Sequence, residues 1–323
     1  MGDGIIMGNK NYRITTLCLM RVSSTSDIQK CYDKKIIEFG CPANWLDKAI
    51  KHNNQSIGDY YECVFAHLPK GDSRVNSVKD VKGNPMGDNL LVSEDRSDGS
   101  SHLRQMSTIL MPVLCFFSFN VAKMEETDRE GKSTKPFIFD LDEYRADMGY
   151  KEDDASFLFI TKPELFFEDL KQRVPCAVKA NTDKLTFERF YRSFNPDEPI
   201  IFGDVDYDKY EETTPFYYYP NGSEELFWKL PRYKWQSELR IAISNLNFKQ
   251  KYDSVSKYDY KKNKLCVSLT HLHEYAEVFS ASKAHSLYFL KSEEKQTYDF
   301  RVLSLRANEV WDNIEQNNGV LII

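Results

Sequence analysis

The sequence predicts an α+β fold, a mixed central β-sheet with flanking helices and long inserted loops. Three observations carry that expectation. Apolar runs of strand length recur from about residue 14 to residue 304. Helical stretches fall between them without a regular strand–helix alternation. Polar segments rich in Gly, Asp, Ser and Asn interrupt the pattern, one of about thirty residues at 69–100 and another at 122–135. No internal repeat or low-complexity linker divides the chain, so residues 1–323 are expected to form a single domain, with 1–10 a flexible tail.

The elements follow in order. Ile14–Val22 reads as a strand ending in Arg21-Val22, and the cap-forming cluster Ser23-Ser24-Thr25-Ser26-Asp27 starts a short helix through Ile28 to Lys34. Ile36–Phe39 is a second strand. Pro42 opens a helix carrying Trp45, Leu46 and Ile50. Tyr60–Phe65 and Val113–Phe119 read as strands on either side of the 69–100 loop. Strands are expected near 136–140, 156–161 and 199–206, with a helix from Pro163 to about Arg173. Gln236–Ser244 is a further strand. The C-terminal part adds strands near 264–269, 285–290 and 299–304 and a helix near 306–317.

Composition narrows the function. The chain is 41% hydrophobic and 28% charged, which excludes a disordered or collagen-like protein. No run approaches the roughly 20 apolar residues of a membrane helix. The net charge of -6 argues against coating duplex DNA by charge alone. Charge is nonetheless uneven: residues 196–226 hold nine acids against Lys209, and residues 229–264 hold ten bases against Glu238, Asp253 and Asp259. The basic stretch reads as a solvated face or as a site for phosphates or nucleic acid. Seven cysteines, none in a CxxC pair, read as reduced thiols of a cytoplasmic protein. The N-terminus lacks the basic and apolar regions of a secretory signal.

The segment richest in chemistry is Leu226-Phe-Trp-Lys229-Leu-Pro231-Arg-Tyr233-Lys-Trp235-Gln236-Ser237-Glu238-Leu239-Arg240-Ile241. Pro231 marks a turn, and Tyr233 and Trp235 lead into the strand. On a strand, Gln236 and Glu238 share one face. That pair is either the solvent face of an edge strand or a site.

Gln236-x-Glu238 resembles the Gln-x-Glu motif of the ADP-ribosyltransferases. The resemblance implies that NAD is the substrate. It also implies that Glu238 is the catalytic carboxylate, holding the nicotinamide ribose and stabilising an oxocarbenium-like transition state, and that Gln236 orients the acceptor. Arg21, at the end of the first strand, would grip the diphosphate, and a guanidinium fork suits that task. Ser118, in Cys115-Phe-Phe-Ser118-Phe119, is the nearest counterpart of the family's central-strand serine. Tyr233 and Trp235 would contact acceptor or nicotinamide.

A second resemblance spans most of the chain. It runs through Phe39-Gly-Cys-Pro42-Ala-Asn-Trp45, Gly58-Asp59-Tyr-Tyr-Glu62, Leu114-Cys-Phe-Phe-Ser118 and Lys229-x-x-x-Tyr233-x-x-Gln-x-Glu238-x-Arg240. It is similar to a large uncharacterised bacterial and phage-associated family often found with defence or toxin genes. That setting implies a protein or nucleic-acid acceptor, and an antitoxin or phage protein as partner. A non-enzymatic phage-sensing or anti-defence module is the alternative.

The sequence also holds candidates for other chemistries. Asp59, Glu62, Asp204, Asp206 and Glu238 supply the acids of a metal-dependent nuclease if they converge. His271-Leu-His273 reads as surface or helix-start histidines rather than ligands. The aromatic run Phe216–Tyr219 reads as packing against a sheet rather than as a stacking platform.

Overall fold

A computed structural model describes residues 16–46, 62–79, 83–94, 98–120, 137–187, 194–209, 215–218, 224–249, 263–292, 297–317 and 320–322. The tail at 1–10, the polar loop at 122–135, Ile50, Asp59 and Tyr219 lie outside the described residues.

The strands, in chain order, begin with β1 (Thr16–Ser24), β2 (Ile36–Phe39), β3 (Val64–Leu68), β4 (Leu90–Glu94), β5 (Ser101–Gln105) and β6 (Val113–Asn120). The middle of the chain adds β7 (Phe137–Asp140), β8 (Ala155–Ile160), β9 (Leu185–Phe187), β10 (Ile200–Asp204), β11 (Phe216–Tyr217) and β12 (Glu238–Ile243). The last are β13 (Leu246–Phe248), β14 (Leu265–Ser268), β15 (Ala276–Ser280), β16 (Ser286–Ser292) and β17 (Thr297–Leu303). Helices at Thr25–Lys34, Leu141–Asp147, Pro163–Ala180 and Ala307–Gln316 complete an α+β fold. Among the described residues, no helix is long and apolar enough to cross a membrane.

The chain packs as two compact units, each built from separate segments. The first gathers 37–117 and 168–269, and the second gathers 9–36, 118–167 and 270–323. The chain passes between them inside β2, inside β6, inside the helix Pro163–Ala180 and after Leu269.

In the first unit β12 pairs antiparallel with β10 on one side and β6 on the other. Its six residues are all buried. A four-stranded sheet runs β11-β3-β5-β4. The stretch expected to be one long loop, 69–100, therefore contains β4 and two 3-10 turns, Ser73–Ser77 and Gly87–Asn89. Of the strand expected over 60–65, Tyr60 and Tyr61 lie outside the described residues, and β3 begins at Val64 because Cys63 sits at φ 56, in the left-handed region. Phe65, Leu103, Val205, Trp228 and Leu230 form a core beneath this sheet, and Phe216, Tyr217 and Tyr218 pack on it. Those three aromatics are thus packing residues, as expected.

In the second unit β8 pairs antiparallel with β1 and β15. The helix Thr25–Lys34 begins where the cap cluster placed it: Ser24 Oγ accepts from the Asp27 N–H at 3.2 Å. It ends at Lys35 in the left-handed conformation, whose N–H returns to the carbonyls of Cys31 and Tyr32. A separate sheet, β17-β16-β7, packs Tyr288 and Leu303 against Val310 and Ile314 of the last helix.

Candidate functional site

The site in the first unit is built on β12. Period-two alternation puts Glu238 and Arg240 on one face and Leu239, Ile241 and Ile243 on the other. The route into the strand differs from the expected one. Pro231–Gln236 is a 3-10 helix with proline in its first turn, and Ser237 closes it at φ 40, ψ 48. The strand therefore starts at Glu238, and Gln236 is not on it. A left-handed residue between the two replaces the strand alternation that the sequence suggested.

Gln236 and Glu238 still meet, through Lys229. Lys229 Nζ donates to Gln236 Oε1 at 2.5 Å and to Glu238 Oε2 at 3.0 Å. Lys229 is aimed by its backbone: its N–H donates to the Asp206 carbonyl at 3.0 Å, and the Asp206 N–H donates to the Phe227 carbonyl at 2.7 Å. Its ammonium also lies 4.8 Å from the Tyr233 ring centroid. The Tyr207 hydroxyl accepts the Glu238 N–H at 2.9 Å.

Arg240 takes the other side of the carboxylate. Its Nε donates to Glu238 Oε1 at 2.8 Å, and its Nη1 donates to Glu62 Oε1 and to the Leu226 carbonyl. The Trp45 ring covers the guanidinium at 5.4 Å. Cys115 lies opposite Arg240 in the β12–β6 register. Two acids and two bases thus neutralise one another inside the unit. Burial works against the charged form of Glu238, but Arg240 and Lys229 outweigh it and hold the carboxyl well below the usual carboxylate range. Burial, with the Glu238 charge adding to it, pushes the Cys115 thiol up.

The cluster has an inner and an outer half. Arg240 is 0% and Glu62 2% exposed, whereas Lys229, Gln236 and Glu238 retain 8%, 6% and 8%. Tyr233 is buried and Trp235 is exposed beside them. Arg21, half-buried on β1 opposite Leu158, belongs to the second unit, as does buried Ser118. The structure therefore brings Gln236, Glu238 and Tyr233 together in one unit and places the proposed diphosphate and serine positions in the other.

Residues from all four sequence blocks of the second resemblance meet around Arg240: Trp45, Glu62, Cys115 and the Lys229–Glu238 group. Sequence reasoning counted Lys229 and Arg240 as part of a surface basic stretch, and both are instead buried ion-pair partners. Residues 250–262 of that stretch lie outside the described residues. The available signal was the pair Glu238 and Arg240, two apart at the start of an otherwise apolar strand. A further polar layer was missed entirely. Arg104 donates to the Glu62 carbonyl at 2.9 Å and to Ser93 Oγ at 2.7 Å, and Gln105 donates to Glu225 Oε1 at 3.0 Å.

The nuclease arrangement is disfavoured by chemistry. Glu62 and Glu238 do converge, but the Arg240 guanidinium stands between them where a metal ion would have to sit. His273 is engaged by the Tyr32 carbonyl at 2.8 Å, and His271 by Glu274 Oε1 at 2.7 Å next to a short helix, Leu272–Tyr275. Comparison of the chain with models of protein families, with curated proteins and with solved structures finds no match.

Proposed function

We propose that this chain transfers ADP-ribose from NAD to a protein or nucleic-acid acceptor, as a cytoplasmic effector in a toxin or phage-defence setting. The observation that supports the reading is the less deeply buried half of the cluster: one ammonium holds the Gln236 amide and the Glu238 carboxylate side by side. In the proposed reaction the bond between the ribose anomeric carbon and nicotinamide breaks, and nicotinamide leaves as a neutral base. An acceptor nucleophile forms the new bond and gives its proton to solvent. Glu238, kept ionised by Arg240 and Lys229, faces the positive charge that develops on the ribose. Gln236 orients the acceptor, and exposed Trp235 offers it an aromatic surface. Seven free cysteines suit a reducing compartment.

One observation favours a second reading, a non-enzymatic binding module whose partner is an antitoxin or phage protein. Both Glu238 oxygens already accept from cations, as a purely structural ion pair would have them. The experiment uses NAD labelled in its adenylate phosphate, incubated with the protein in a cell extract beside Glu238→Gln, with circular dichroism to verify folding. Label carried to a macromolecule and lost in the folded variant supports transfer. No transferred label from either protein favours the binding module.

A further inference from the structure

The second unit holds a groove of about 510 Å³ between two strand edges. Glu277 and Phe279 of β15 line one wall, and Phe300, Arg301, Val302 and Leu303 of β17 line the other. β15 is the outermost strand of its sheet, and β17 is the outermost strand of its own.

The β15–β8 ladder fixes which backbone groups face the groove side. The Thr161 N–H donates to the Tyr275 carbonyl at 2.8 Å, and the Ala281 N–H donates to the Ala155 carbonyl at 3.0 Å. With Glu277 opposite Phe159 and Phe279 opposite Phe157, the odd-numbered residues from Tyr275 to Ala281 exchange their bonds with β8. The N–H and C=O groups of Ala276 and Val278 and the N–H of Ser280 therefore point away from the sheet, while the Ser280 carbonyl accepts from the Lys283 N–H at 3.0 Å. Among the described residues no strand pairs with that edge. Such a row of donors and acceptors matches one kind of ligand, another extended backbone.

We propose that the β15 edge is a strand-addition site that takes an extended polypeptide segment of a partner, seated in the groove against β17. The side chains beside it set its preference. Glu277 and Phe279 lie two residues apart on one face, so the added strand presents a basic residue and an apolar one, also two apart. The apolar residue packs among Phe279, Phe300 and Val302. This surface is in the second unit and stands independently of the glycosyl-transfer reading.

The test uses a capped, fluorescein-labelled peptide in which threonine alternates with valine, lysine, phenylalanine and valine, in that order. Fluorescence anisotropy reads binding, and amide hydrogen exchange reads the edge. The account predicts saturable binding that slows exchange at Val278 and Ser280. Val278→Pro removes an outward N–H and none of the β8 bonds, so the fold survives and binding falls by about tenfold or more. Glu277→Lys shifts preference to the peptide with glutamate in place of lysine. Unchanged affinity in Val278→Pro, or binding without amide protection, overturns the proposal. Concentration-dependent dimerisation with the same amides protected, in the absence of peptide, overturns it too, because the occupant is then a second copy of the chain.

Discussion

Replacing Arg240 with methionine tests whether the cluster is organised as described. Arg240 is wholly buried, and its guanidinium donates to Glu238, Glu62 and the Leu226 carbonyl. Methionine fills much of the volume but satisfies none of these. Glu238 keeps Lys229 at 3.0 Å. Among the described residues the Glu62 carboxylate is left with the Cys63 thiol, at 3.9 Å. Removing one partner from a buried ion pair costs about 3–5 kcal/mol, and an orphaned carbonyl costs about 1–3 kcal/mol. These terms overlap, so a net loss of about 4 kcal/mol is expected. With an m-value of about 3 kcal/mol/M, the urea midpoint falls by roughly 1.3 M. Three of the four tryptophans, Trp45, Trp228 and Trp235, lie in the first unit, so intrinsic fluorescence follows the right part of the chain. The double variant Glu62→Gln with Arg240→Met should recover a large share of the loss, because the uncompensated charge is gone. A midpoint shift below about 0.3 M, or no recovery in the double variant, refutes the buried ion-pair assignment.

Three further expectations follow from local chemistry. Glu238 titrates below its unfolded value of about 4.3, so its contribution is complete above that pH and is lost as pH falls through it toward the folded value; urea midpoints should drop from about pH 5 downward, and less steeply in Glu238→Gln. Lys35→Gly relieves a left-handed residue at a helix end and should stabilise the second unit by about 1 kcal/mol in thermal or urea unfolding, with destabilisation contradicting the assigned conformation. Iodoacetamide under native conditions should label exposed Cys176 and Cys266 well before Cys18 and Cys63, whose thiols are buried and pushed up by that burial; peptide mass mapping of early time points decides it.

Much of the fold was legible because many strands carry apolar runs: Ile36–Phe39, Val113–Asn120, Ala155–Ile160 and Leu265–Ser268 all stand where the pattern placed them. β5 was not legible. Ser101-His-Leu-Arg-Gln is mostly polar, yet all five residues are buried, because Arg104 and Gln105 find partners inside the unit. Hydropathy cannot mark a strand whose burial depends on hydrogen bonds made by distant residues. The same limit applies to the site. Gln236 and Glu238 were legible as a pair, but the left-handed Ser237 between them was not, since serine carries no signal for positive φ. Arg240 looked like surface charge because Glu62, one of the two acids it pairs with, lies 178 positions away.

The central claim is glycosyl transfer at Glu238, and free nicotinamide is its most direct readout. Purified protein incubated with NAD should release nicotinamide, by chromatography, at a rate that exceeds the buffer blank. Glu238→Gln should abolish the release while retaining the wild-type circular dichroism spectrum, and Lys229→Met should reduce it strongly. Release that persists undiminished in folded Glu238→Gln, or no release from the wild-type protein alone or with cell extract, contradicts the account.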